Sequence, residues 1–425
     1  MGEPTSKQDR QVLRDLAEQY AALCEADRNV QARELWRAHN SLRPGRPMVI
    51  VSSFWHTAGE IVPTFAPDQT ERFAGVERWF KRQIWQATQI DDDSVLNPWF
   101  TVNAPLQRPE HGNWGIDRDV MRDCTSSGWR CMPVIGCMAD LARLEPTPHR
   151  VLERDCERTR ELRDIFGDIL PVHENRSTAY RCWGGTDLSE AAGALFGLEE
   201  LLTLLYENPA LVHALMAFMR DAVLANLTEG EAAGDWSTAE HNNYFLPSHV
   251  DDLPDPVPNA HGAPLSDIWF FTHAQEFEGV SPAQHEEFLL RYQMPIMERF
   301  GLVNYGCCES LDGKVDMLRA IPNLRRICIG PRADVRRSAE QIGGGYVLSW
   351  RPNPGMVGSG YDLERCRQIV RQGFRDAQGS PIELMLKEMM TIEHDPQRLI
   401  DFARMAKAEA EAAPLHGSRP RSREG

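Results

Sequence analysis

The 425-residue chain has no CxxC pair, no apolar run approaching the ~18 residues of a membrane span, and no surplus of basic residues. Each absence removes a class. Without CxxC repeats a structural zinc ribbon has no framework. Lys and Arg number 46 against 62 Asp and Glu, a net charge of −16. That argues against a nucleic-acid or anionic-membrane surface, which needs clustered cations. The opening MGEPTSKQDRQ lacks an apolar h-region, so no secretory signal is expected. Ten cysteines scattered along a chain without such a signal suit a reducing cytoplasm.

Familiar catalytic motifs are missing as well. HEEFL (285–289) ends in Leu289, so it is not HExxH. DGKV (312–315) is no P-loop, because Cys308 stands at the first glycine and Val315 at the Ser/Thr. The glycines 343–345 precede a strand instead of opening a helix. No GxSxG supports a nucleophile-elbow serine.

What remains is an ordinary globular composition, 42% hydrophobic and 25% charged. Apolar residues three and four apart predict helix over 8–40, ending at LRPGRP. PMVIVSSFWH (47–56) and FGDILPVHE (166–174) read as strands, and 197–227 as paired helices broken at Asn208-Pro209. Strand-like runs then recur at 234–245, 267–277, 302–309, 325–334, 346–354 and 382–390, with helix-like segments between most of them. Such alternation predicts a parallel α/β sheet, and about eight units favour a closed (β/α)8 TIM barrel. The expected organisation is an N-terminal helical extension (1–40), a barrel (41–411) and a disordered tail (412–425). The Pro- and Asp-rich stretch 240–266 reads as a lid-like insertion.

In a barrel the site lies at the C-terminal strand ends. These carry His56, His173, Glu240, His241, Asn242, His273, Gln275, Glu276, Cys307, Cys308, Glu309, Arg332, Asp334, Asn353, Lys387 and Glu388. The competing explanation is that strand ends turn polar simply to meet solvent. If 302–309 runs as a continuous strand, alternation puts Asn304, Gly306 and Cys308 inward and Tyr305, Cys307 and Glu309 outward. Adjacent residues in an extended strand have diverging Cβ vectors, so a Cys307–Cys308 disulfide is not expected.

Several stretches carry a resemblance. GVSPAQHEEFLLRYQMPIMERFG resembles the SP-x-x-F/H-x-x-F-x-x-x-Y helix start after the fourth barrel strand of the uroporphyrinogen decarboxylase-like superfamily. GLEELLTLLYENPALVHALMAFM is similar to its paired helices, and YGCCE, IPNLRRI, RPNP and LKEMMTI resemble one bacterial branch. The likeness spans about residues 35–410. It implies either decarboxylation of tetrapyrrole acetate arms or methyl transfer involving a corrinoid protein, with zinc activating a thiol. The arginine-rich RQAGRY-type segment of the decarboxylases is replaced by VIVSSFWHTAGE. In the methyltransferase motif H-x-C, Gly306 stands at the His and Cys308 at the Cys.

Strand ends and resemblance together give a set of expectations. Function is methyl transfer or demethylation of a small molecule in the cytoplasm. A divalent metal such as zinc would be held by His273, Cys308 and Glu309, and a corrinoid would arrive on a partner protein. Gln275, Glu276, Glu309 and Asp334 are the catalytic candidates. Trp55, His56, His241, Asn242, Tyr305, Arg332, Trp350 and Lys387 are the substrate-binding candidates. A homodimer stays open. Two alternatives stand beside this: a metal-free decarboxylase or lyase using Arg332, Arg351 and Lys387, and a barrel that binds a small molecule without chemistry.

Overall fold

The computed structural model describes residues 5–52, 58–61, 69–122, 129–180 and 187–416. Two helices, Lys7–Glu25 and Asp27–Asn40, replace the single helix expected over 8–40. Ala26, with φ −60° and ψ 141°, breaks the helical path between them. Ten strands follow in chain order: β1 (Met48–Val51), β2 (Phe100–Asn103), β3 (Asp119–Arg122), β4 (Trp129–Met132), β5 (Val172–Asn175), β6 (Trp269–Thr272), β7 (Leu302–Tyr305), β8 (Leu324–Ile329), β9 (Val347–Trp350) and β10 (Ile382–Leu386).

Six of them form one parallel sheet in the order β1-β10-β9-β8-β7-β6. Strands β2 and β5 pair in parallel as a separate two-stranded sheet, and β3 and β4 form an antiparallel hairpin. Among the described residues the sheet is not closed, which differs from the barrel expected from the strand–helix alternation. Side chains and loops account for both gaps. On the outer side of β1, the N–H groups of Val49 and Val51 donate to the carboxylates of Asp93 and Asp92, at 2.8 and 2.9 Å. Beyond β6, Trp269 N–H donates to His241 Nδ1 at 3.1 Å and Asn242 N–H to Trp269 O at 3.0 Å. Backbone partners that a neighbouring strand would supply come from elsewhere.

The sheet strands are nearly continuous apolar runs because both faces are covered. Helices from Leu188–Phe196 through Gln397–Ala412 pack against them in one large core. The helix Pro209–Ala232 is long and apolar enough to cross a membrane by length and composition, but half of its most apolar stretch is buried inside the protein. The stretch 234–245, expected as a strand, instead forms a short 3-10 turn at Thr238–Glu240.

The expected lid, 240–266, contributes to the interior. Asn243 and Tyr244 are buried at its turn, where Tyr244 and Phe245 have φ of 52° and 59°. Asn243 Oδ1 accepts from Asn304 Nδ2 at 3.1 Å and from Arg326 Nη1 at 2.5 Å. Residues 247–250 return beneath the helix Asp27–Asn40, where Asn40 Nδ2 donates to Pro247 O and His249 O. In the expected tail, His416 N–H donates to Gly45 O at 2.9 Å.

Candidate active site

Inside the six-stranded sheet lies a floor of buried charge. Arg326 on β8 grips Glu383 on β10, with Nε–Oε1 at 2.8 Å and Nη2–Oε2 at 3.0 Å, and both side chains are wholly buried. Ser349 Oγ and His39 Nε2 also contact this carboxylate, at 2.5 and 3.1 Å. Burial alone would raise the Glu383 pKa, but Arg326 leads the interactions that bring it down to about 2.

Above this floor the chain leaves β7 and β10 in two turns that decide the site. β7 ends at Tyr305, and Gly306 takes φ +99°. A Cβ there would meet Leu311 Cδ1 at 2.6 Å and Cys328 O at 3.0 Å, so glycine is required. The turn cancels the alternation of an extended strand. Cys307 therefore does not back onto the helices, and its Sγ lies 3.6 Å from that of Cys308. At β10 the strand stops at Leu386, and Glu388 adopts φ 58°, an uncommon conformation for a non-glycine residue. Lys387 and Glu388 thereby reach the same point.

The result is a compact cluster. Lys387 Nζ is 3.3 Å from Cys307 Sγ and 3.0 Å from Cys308 Sγ, and it also pairs with Glu388. Cys308 Sγ donates to Glu388 Oε2 at 3.0 Å. Tyr244 Oη donates to Glu388 Oε1 at 3.2 Å, and the Tyr244 ring carries Lys387 and Arg351 at 4.9 and 5.0 Å. Such cation–ring contacts strengthen where water is excluded. Cys307 is fully buried, Cys308 half-buried, and the Glu388 side chain 33% exposed, so the cluster has a mouth on the Cys308–Glu388 side. Burial opposes ionisation of Cys307, but the Cys308 hydrogen bond, followed by Lys387, His273 and Arg351, takes its pKa well below the ordinary thiol value.

A second cluster sits at the end of β6. His273 Nε2 lies 2.6 Å from Asp187 Oδ2. Burial would lower the histidine's pKa, but Asp187 outweighs it and lifts it to about 10. Glu309 is fully buried and accepts the N–H groups of Ala274 and Cys307, each at 2.8 Å. Burial raises its pKa. Glu276 receives a hydrogen bond from Ser189 Oγ, and burial raises its pKa to about 7.

Cys308 and Lys387 thus come together, while His273 and Glu309 are engaged beside them with other partners. Gln275 begins the short 3-10 turn Gln275–Phe277, next to His273. Asp334 caps the helix Val335–Ile342, and Arg332 pairs with Glu278 with its side chain 76% exposed. Tyr305 faces the helices, where its hydroxyl meets Gln293 and His285 at 2.8 Å. Trp350 also faces outward, packing on Gly373 and Phe374. His241 and Asn242 stand at the start of β6, the end opposite His273. Trp55 and His56 lie outside the described residues. Tyr244 was absent from the candidate site residues, although it stands at the end of the expected strand 234–245.

Three donors are suited to a thiophilic cation. Cys307, Cys308 and Glu388 each present a ligand atom within 4.8 Å of the others. Two sulfurs, deprotonated on binding, and a carboxylate would supply the three protein ligands that a catalytic zinc site uses. The Lys387 ammonium touches all three donors and competes for the same space. Nearby, a cavity of about 530 Å³ is lined by Asn175, Tyr180, Trp236, Tyr244 and Phe270 among others. Tyr244 belongs to both cavity wall and cluster.

No protein-family model matches the chain, and no curated protein matches it. Among solved structures, a methyltransferase from Methanosarcina mazei is similar in overall trace. It is 9% identical, with a TM-score of 0.48, and the match covers 90% of this chain and 98% of that one. The site's chemistry therefore rests on this chain's own residues.

Proposed function

We propose that this chain is a methyltransferase or demethylase acting on a small molecule, built on an interrupted (β/α)8 barrel and working in the cytoplasm. One observation carries the reading: Cys307, Cys308 and Glu388 converge within 4.8 Å at the C-terminal ends of β7 and β10. Parallel α/β sheets place their chemistry at that edge. These three residues would hold a divalent metal, which when bound supplies Lewis acidity to a coordinated thiol and to the departing group. Lys387 holds a proton at Nζ within reach of both sulfurs, as protonation of a leaving amine or alkoxide requires. Tyr244 fixes Glu388 through its hydroxyl and seals the underside with its ring. Glu309 fixes the Cys307 backbone. A corrinoid carried by a partner protein would approach over Cys308 and Glu388, the exposed side of the cluster.

Elemental analysis of purified protein tests this reading. One zinc or other transition metal per chain, reduced in Cys308→Ser, is expected. Metal-free protein that still turns over substrate after chelation would sink it. Such a result would favour a lyase of a small organic acid, the reading favoured by the Lys387 ammonium standing among the three donors.

A further inference from the structure

Three buried cations stand around the Glu383 floor and the thiol cluster, and two of them are paired with carboxylates. Arg326 is paired with Glu383, and Lys387 with Glu388. The third is Arg351, just past β9 and 2% exposed, which has no carboxylate partner among the described residues. Its Nη1 donates to Ser349 Oγ at 2.6 Å. Its Nε and Nη2 are buried and have no hydrogen-bond partner among the described residues. A buried guanidinium left in this state is costly, since its lost hydration is unreplaced.

The unpartnered atoms are a chemically specific pair. Nε and Nη2 form one edge of the planar guanidinium, with two parallel N–H groups spaced to meet two oxygens of one carboxylate. The remaining nitrogen is tied down by Ser349, which fixes the plane. The guanidinium also lies 5.0 Å from the centroid of the Tyr244 ring, the same ring that carries Lys387 at 4.9 Å. Arg351 is therefore one aromatic ring away from the thiols. We propose that the Nε–Nη2 edge of Arg351 is the binding point for a carboxylate on the substrate, which presents the substrate's reacting group to the Cys307–Cys308–Lys387 cluster.

This deepens the proposed function by naming the substrate class, a small carboxylic acid. It rests on that reading only in taking the thiol cluster as the reacting end. The carboxylate completes the charge pairing of the three cations, and a neutral analogue leaves the guanidinium unpaired. Discrimination between acid and amide should accordingly be strong.

Isothermal titration of chelator-treated, full-length protein tests the assignment, with acetate, malonate and succinate as probes and malonamide and inorganic phosphate as controls. Saturable one-to-one binding of at least one carboxylate is expected, with none of malonamide. Arg351→Lys keeps the charge but not the two-pronged edge, and should bind at least tenfold more weakly. Arg351→Gln should not bind, and its melting curve and circular dichroism report whether it folds. If it does not fold, the lysine variant decides. No binding of any of the three acids, equal binding by a folded variant and wild type, or tighter binding of phosphate than of every carboxylate would each overturn the proposal. Zinc uptake is measured separately on the same samples. Carboxylate binding without zinc uptake leaves the Arg351 assignment standing and removes the metal reading, and the converse result does the reverse.

Discussion

Replacing Glu383 by Gln should unbalance the buried floor on which the thiol cluster stands. The carboxylate is wholly buried and neutralises Arg326 through contacts of 2.8 and 3.0 Å. Removing one member of such a pair strands the other charge in a medium that cannot solvate it, at a cost of about 3–5 kcal/mol. Proton linkage gives a second route to the size. The pKa falls from 4.5 to about 2 on folding. At about 1.36 kcal/mol per pH unit, that amounts to about 3 kcal/mol. The folded-state pKa is depressed, so the stabilisation is complete above the unfolded pKa of 4.5 and disappears as pH falls through 2. Urea unfolding followed by tryptophan fluorescence should place Glu383→Gln about 3 kcal/mol below wild type at pH 7. The gap should narrow steadily between pH 4.5 and pH 2. A gap under about 1 kcal/mol at pH 7, or one constant across the acid range, would refute the reasoning.

Glu276 should behave in the opposite sense. Burial raises its pKa to about 7, so ionisation costs stability as pH rises from 4.5 toward 7. Glu276→Gln should match wild type at pH 4 and be more stable at pH 8, read from melting temperatures at the two pH values. Gly306→Ala should destabilise by roughly 2 kcal/mol or more, from the positive φ and the Leu311 and Cys328 contacts. An unchanged denaturation midpoint would contradict that requirement for glycine. Lys387→Met removes the ammonium that shares the donors, and competition with a chromogenic chelator should show at least tenfold tighter zinc binding. Weaker binding would mean that Lys387 helps the donors rather than competing with them.

Much of the fold was legible because parallel strands buried on both faces leave apolar runs. MVIV, WFFT, RICI and IELML all became strands of the main sheet. Closure was not legible. Asp92 and Asp93 take the N–H groups that a neighbouring strand would otherwise bind, and nothing in IDDDSV announces that use. At the site, strand-end counting found Cys308 and Lys387 but could not orient their neighbours. The period-2 rule holds only while the chain stays extended, and Gly306 and Glu388 end that regularity. The rule did hold within β7, where Asn304 meets the interior residue Asn243 and Tyr305 meets the helices. Arg351 was read as a cation available for substrate, but its place beside Tyr244, and Tyr244's place beside Lys387 and Glu388, depend on neighbours far along the chain that local pattern does not reveal.

The donor set of the cluster is the most direct point of test. Cobalt(II) added to metal-free protein reports thiolate ligands through sulfur-to-metal charge-transfer absorption. A saturating band at one cobalt per chain is predicted, reduced by about half in Cys307→Ser and again in Cys308→Ser, and preserved in His273→Gln. A cobalt complex without that band, or one unchanged in both cysteine variants, would contradict the assignment of Cys307, Cys308 and Glu388 as the metal-binding centre.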